Sequence, residues 1–189
     1  MLKSIPGVFA LLGAVLPAQA QDTVLWQENI AGWQVNVDRT IGNSCYISAA
    51  FESGAVVRFQ FNARQQNVQF IIGDLRWASL EAGESYDMQV TFGERDPWSG
   101  EAVGYRWSDV LPSLVLSVPA GDEKAAHFIR EFAGTSGLRV AYDGREIANL
   151  SLKGANAAVA EMIACQRVMA ASAGPADPFA GPGPKGKLH

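Results

Sequence analysis

Histidine is nearly absent from this chain of 189 residues, present only as His127 and the final His189. That removes most of the side chains that act as acid–base groups near neutral pH or hold zinc. Basic charge is also in deficit, with 15 Lys and Arg against 19 Asp and Glu and a formal net charge of −4. Contact with a phosphate backbone needs clustered Lys and Arg, so this balance argues against nucleic-acid partners. No apolar run approaches the roughly 20 residues that a membrane-crossing helix requires, and a transmembrane anchor is not expected. Cysteine is limited to Cys45 and Cys165, too few for a cysteine-based metal site, and no metal or cofactor is expected. No Gly-x-Ser-x-Gly elbow occurs, so a serine hydrolase of that type is excluded.

The first twenty residues have the parts of a cleavable export signal. Lys3 gives a basic start, Val8 to Leu16 an apolar centre, and Ala18-Gln19-Ala20 a small-residue cleavage motif. Cleavage would leave Gln21 first, with no cysteine there to be lipidated, and would move the formal net charge to −5. The expected organisation is a signal peptide over 1–20, one globular domain over 21–172 and a disordered Gly- and Pro-rich tail over 173–189. The expected location is the periplasm or the medium. An oxidising compartment makes pairing the default fate of two cysteines, so Cys45 and Cys165 are expected to form a disulfide.

From Trp33 onward apolar residues recur at every second position, the pattern of strands with one buried and one wet face. Strands are expected around Trp33–Val37, Cys45–Phe51, Val57–Phe61, Val68–Ile72, Tyr86–Phe92, Leu114–Val118, Leu138–Tyr142 and Glu146–Leu152. Trp98–Trp107 is a further candidate, broken by Gly100 and Gly104. The first five read as a meander, and Asp143-Gly144 suits a two-residue hairpin turn. Asp122 is positioned to cap a helix carrying Ala125, Phe128, Ile129 and Phe132 on one stripe, and Ala158, Met162, Cys165 and Met169 mark the inner face of a second. The fold expected is α+β: an antiparallel sheet of about seven to nine strands, with two helices on its apolar face and one disulfide.

The candidate chemistry is sparse. A Cys45–His127 nucleophile pair is removed by the disulfide. Glu94, Asp96 and Glu101 bracket a loop but lack the spacing of an EF-hand. Gly134-Thr135-Ser136-Gly137 lacks the lysine of a phosphate-binding loop, and Asn149-Leu150-Ser151 falls within a strand, where a glycosylation signal is incidental. No catalytic residue is assigned. Aromatic rings beside polar groups do favour recognition surfaces. The candidate binding residues are therefore Asp96, Trp98, Tyr105, Arg106 and Trp107, with Trp26, Trp33 and Trp77 assigned to the core.

Two segments carry a resemblance: Gly32-Trp33 through Cys45-Tyr46-Ile47, and Ile147 to Gly154 followed by the Ala-rich run that ends Ala164-Cys165-Gln166. They resemble small exported proteins of alphaproteobacteria, including invasion-associated exported proteins. The resemblance supports export and the disulfide, and it transfers no site residue. The function expected is a non-enzymatic binding or interaction module of the bacterial envelope, with an envelope protein or a small ligand as its partner. The alternatives are a carboxylate-dependent hydrolase of envelope polymers, and an inhibitor presenting the loop 93–100 to a secreted enzyme.

Overall fold

The computed structural model describes residues 22–107, 110–121 and 123–172. The signal-peptide segment, the tail and Asp122 as a helix cap lie outside them. The described residues form β1 (Thr23–Ile30), β2 (Trp33–Asp38), β3 (Ser44–Ala50), β4 (Ala55–Asn62), β5 (Asn67–Asp74), β6 (Ser85–Phe92), β7 (Trp98–Trp107) and β8 (Leu111–Pro119), then α1 (Glu123–Gly134), β9 (Gly137–Tyr142), β10 (Arg145–Ser151) and α2 (Ala155–Ser172). The strands make one antiparallel sheet in the order β1-β2-β3-β4-β5-β8-β7-β6-β9-β10. Both helices pack on one face of it, as the alternation of apolar residues requires.

The sheet has one strand more than the seven to nine expected. That strand is β1, whose pairing with β2 shifts register between Leu25 and Gln27 and again before Ile30. The irregularity erases the period-two signal by which a strand is read from sequence. Trp26 lies on this edge strand and is exposed, not buried in the core, and its indole Nε1 donates to Glu161 Oε1 at 2.8 Å. Trp33 is a core residue and Trp77 packs half-buried against the core.

β2 to β5 form the expected meander, but β6 does not continue it. β8 takes the place beside β5, setting Leu114, Leu116 and Val118 opposite Ile72, Phe70 and Val68 and so extending the apolar face. The chain between β5 and β6 instead passes against β7, where Gly83 N–H donates to Gly104 O and Gly104 N–H to Glu84 O, both at 2.8 Å. Gly104 makes that approach possible, since a Cβ there would lie 2.0 Å from Glu81 O. The glycine expected to break β7 is thus a packing requirement inside a continuous strand. At the β9–β10 turn, Asp143 and Gly144 both have positive φ, as a two-residue hairpin demands.

The core is aromatic at its centre. Phe132 of α1 stacks on Phe59 with ring centroids 4.5 Å apart and meets Trp33, Phe70 and Phe92 edge-on. Phe128, one turn earlier, touches Phe59, Phe70, Phe92 and Trp98. α2 lies beside α1 over β2 and β3, with Ala158, Met162 and Cys165 buried. Cys165 is bonded to Cys45 of β3 across 120 residues, with Cα atoms 6.1 Å apart, inside the normal range for a disulfide.

Closing a loop of that length should contribute up to about 4–5 kcal/mol through the unfolded state. The Cys45→Ser/Cys165→Ser double variant should unfold at lower denaturant by that order of free energy. Thiol labelling of denatured, unreduced wild-type protein should find no free cysteine; two reactive thiols would show that the bridge does not form in the purified protein.

Candidate functional site

The period-two reading fails in one respect, and the failure marks the site. The polar positions of β2 to β5 point away from the helices, yet they are largely buried rather than wet. Asn36, Asp38, Ser44, Arg58, Gln60, Asn62 and Gln69 are each less than a tenth exposed. The reason lies in the shape of the sheet. In register, Arg58 pairs through Ile71 and Val115 to Val103, so Arg58 and Trp107 stand three strands and four residues apart. On a flat sheet their Cα atoms would be about 20 Å from one another. The guanidinium carbon of Arg58 nevertheless sits 5.6 Å from the Trp107 ring. This face is therefore concave along that diagonal, consistent with the twist of a large antiparallel sheet.

The concavity encloses about 470 Å³, within the roughly 300–1,000 Å³ usual for small-molecule sites. Its floor is a chain of hydrogen bonds. Arg58 lies with its guanidinium carbon over the Tyr46 ring, 3.7 Å from the ring centroid. Its Nη2 donates to Asp38 Oδ2 at 2.6 Å, and its Nε to Gln60 Oε1. Gln60 Nε2 passes the chain to Gln69 Oε1, and Gln69 Nε2 donates to Gln65 Oε1 at 3.1 Å and to Ser117 Oγ at 3.4 Å. Asn62 Nδ2 joins from the side, donating to Gln65 Oε1 at 3.2 Å. Asp38 Oδ1 is filled by Thr40, whose N–H and hydroxyl donate at 2.9 and 2.6 Å. Tyr105 and Trp107 form one wall, and Thr40 and Ile41 of the β2–β3 turn stand among the other lining residues.

Burial alone would raise the pKa of Asp38, but the hydrogen bonds from Arg58 and Thr40 and the Arg58 charge together hold its carboxyl below the ordinary carboxylate value. Burial pushes the Tyr46 phenol up, against the opposing charge of Arg58.

A second, larger depression of about 850 Å³ lies between the β6–β7 loop, the end of β8 and α1. Asp96 and Trp98 line it. Trp98 is half-buried, with its ring against His127 and Phe128 and its Nε1 donating to Glu131 Oε2 at 2.6 Å. Glu131 Oε1 meets His127 Nε2 at 3.1 Å and Arg95 Nη1 at 3.4 Å. Both oxygens of this buried carboxylate are thus occupied, and Glu94, Asp96 and Glu101 are exposed. The five candidate residues fall in three places. Tyr105 and Trp107 share the polar cavity, Asp96 and Trp98 share the trough beside α1, and Arg106 turns to the other face of β7, where its Nη2 donates to Leu80 O at 3.1 Å. Among the described residues no group of three or more His, Cys, Asp or Glu is arranged to hold a metal ion, and no helix is long and apolar enough to cross a membrane.

The network around Arg58 was not anticipated from sequence. Its signal is the choice of polar residue: Arg58, Gln60 and Asn62 on β4 and Gln69 on β5 put a guanidinium and amides where an exposed strand face commonly carries Thr, Lys or Glu.

The fold and this cavity define a class: a disulfide-stapled α+β domain in which one sheet has helices on one face and an open polar concavity on the other. A solved structure with a similar fold is invasion associated protein B from Bartonella henselae, at 12% identity and a TM-score of 0.50, covering 72% of this chain and 94% of that one. At that identity the likeness concerns the fold alone, and to that extent it agrees with the resemblance carried by the two end segments. No family model and no curated protein sequence matches the chain.

Arg58 and Asp38 are both buried, so stranding either one is costly while replacing both is not. Arg58→Met alone should lose about 3–5 kcal/mol, and Asp38→Leu/Arg58→Met together much less. The depressed Asp38 also sets a pH dependence. The folded state binds fewer protons there than the unfolded chain, so the stabilisation is complete above about pH 4 and disappears as pH falls through the lower folded value. Urea denaturation from pH 7 to pH 2.5 should show a steeper acid loss in wild type than in Asp38→Asn; parallel curves would mean that the pair contributes nothing.

Proposed function

We propose that this chain is an exported, non-enzymatic binding module of the bacterial envelope, and that its ligand occupies the polar cavity floored by Arg58, Gln60 and Gln69. One observation carries the reading. Burying polar groups is expensive, and a sheet face needed only for stability is better served by apolar side chains. Here a connected set of polar groups is buried beneath a cavity of ligand size, with two aromatic side chains beside it. Export rests on the leader-like first twenty residues and agrees with the disulfide between Cys45 and Cys165. The binding reading is favoured over hydrolysis because Asp38 is the one carboxylate among the described lining residues, and it is engaged by Arg58 and Thr40.

The test is thermal unfolding in the presence of separate panels of neutral sugars, amino acids and dicarboxylic acids. A ligand at a hundred times its dissociation constant adds about 2.7 kcal/mol, a rise of several degrees for a domain of this size. At least one panel should raise the melting temperature of wild type and of Asp96→Asn, and should leave Asp38→Leu/Arg58→Met unmoved. If no panel acts, or if all three proteins respond alike, the cavity is not the ligand site.

A further inference from the structure

Resting on that reading, we infer that the cavity takes a neutral, polyhydroxylated ligand, a saccharide of one or two rings.

Charge is the first reason. Among the described lining residues only Asp38 and Arg58 are charged, and they neutralise each other at 2.6 Å. An anionic ligand would find no uncompensated cation there, and a cationic one would have to compete with Arg58 for Asp38.

Hydrogen-bonding capacity is the second. Gln60, Asn62, Gln65, Gln69, Ser117 and Thr40 present amides and hydroxyls, groups that combine donors with acceptors. Sugar hydroxyls, which also do both, match such a surface, whereas a carboxylate can only accept. The guanidinium adds a directed donor: Nε and Nη2 are engaged by Gln60 and Asp38, while Nη1 has no hydrogen-bond partner among the described residues. Its orientation is fixed by the Tyr46 ring beneath it.

The walls are the third. Trp107 and Tyr105 stand beside the polar floor with Val103 and Val115, and Tyr105 is 48% exposed. A pyranose ring has an apolar C–H face and a rim of hydroxyls. It is the shape that places one against an aromatic wall while the other meets the amides. A purely apolar ligand would use the wall and leave Nη1 of Arg58 and the amide hydrogens that the network does not use stripped of water and unmatched.

Titration calorimetry with cellobiose and N,N′-diacetylchitobiose as neutral probes, and digalacturonate and glutarate as anionic ones, decides the point. At least one neutral disaccharide should bind with an affinity that changes little between low and high salt, as expected for an uncharged ligand. Trp107→Ala should weaken it about tenfold or more, Trp107→Phe should recover most of the loss, and both anions should bind at least about tenfold less tightly. Tyr105→Ala, at an exposed position, gives a second test of the wall should Trp107→Ala fail to fold. Tighter, salt-sensitive binding of an anion that Asp38→Leu/Arg58→Met abolishes would keep the cavity as a ligand site and overturn the saccharide assignment. Sugar binding indifferent to Trp107, Tyr105 and Arg58 would place the sugar elsewhere and overturn it too. Binding by neither class would remove both the assignment and the reading it rests on.

Discussion

The insertion of Phe132 into the sheet is the contact on which the rest of the molecule depends. Its ring meets side chains from β2, β4, β5 and β6 at once, so a single residue of α1 gathers strands from both halves of the ten-stranded order. Phe128 repeats the arrangement one turn earlier and adds Trp98 of β7. The disulfide and the contacts of the β1–β2 turn complete the closure. Trp33 Nε1 donates to Lys153 O at 3.1 Å, and Gly154 packs so near Ala31 that a Cβ there would lie 2.6 Å from the alanine methyl.

A sheet held in this shape has two buried faces with different physics. Under the helices, burial is apolar and the driving force is removal of hydrocarbon from water. On the opposite face the same twist covers β2 to β5 without any helix, and the residues covered there are amides, an arginine and an aspartate. Their desolvation must be offset group by group, which is why the hydrogen bonds run as an unbroken chain from Thr40 through Asp38, Arg58, Gln60 and Gln69 to Ser117. In a surrounding of low polarity each link strengthens its neighbours, and a missing one is expensive.

Much of the fold was legible because an amphipathic strand or helix announces its apolar stripe at a fixed period. The strands from Trp33 onward, both helices, the Asp143-Gly144 hairpin and the Cys45–Cys165 bridge all follow from residues a few positions apart, or from the count of cysteines. Three things were not legible, each for a physical reason. β1 carries register shifts that destroy its period. The place of β8 between β5 and β7 depends on which apolar edges match in space, which local pattern does not encode. The burial of the polar face depends on the twist of the whole sheet, which no single strand encodes, so alternation reported the chemistry of the two faces correctly and the wetness of one of them wrongly. The candidate site was legible in part: Tyr105 and Trp107 were singled out for their rings, while Arg58, Gln60 and Gln69 passed as ordinary outward-facing strand residues.

The self-sufficiency of the polar chain bears on how it would bind. Because its members already satisfy one another, a ligand gains little by displacing those bonds and most by using what they leave over: Nη1 of Arg58, the remaining amide donors, and the wall of Trp107 and Tyr105. On the proposed reading the network would act as a preorganised floor whose orientations are set before binding, with the ordering cost that flexible polar side chains impose on recognition met during folding. That division explains why the arginine is braced on three sides, by Tyr46, Asp38 and Gln60. A guanidinium free to reorient would lose its direction, one lacking Asp38 would carry an uncompensated charge, and one lacking Tyr46 would lose the ring it rests over. Only the braced arrangement offers a fixed donor in a neutral cavity.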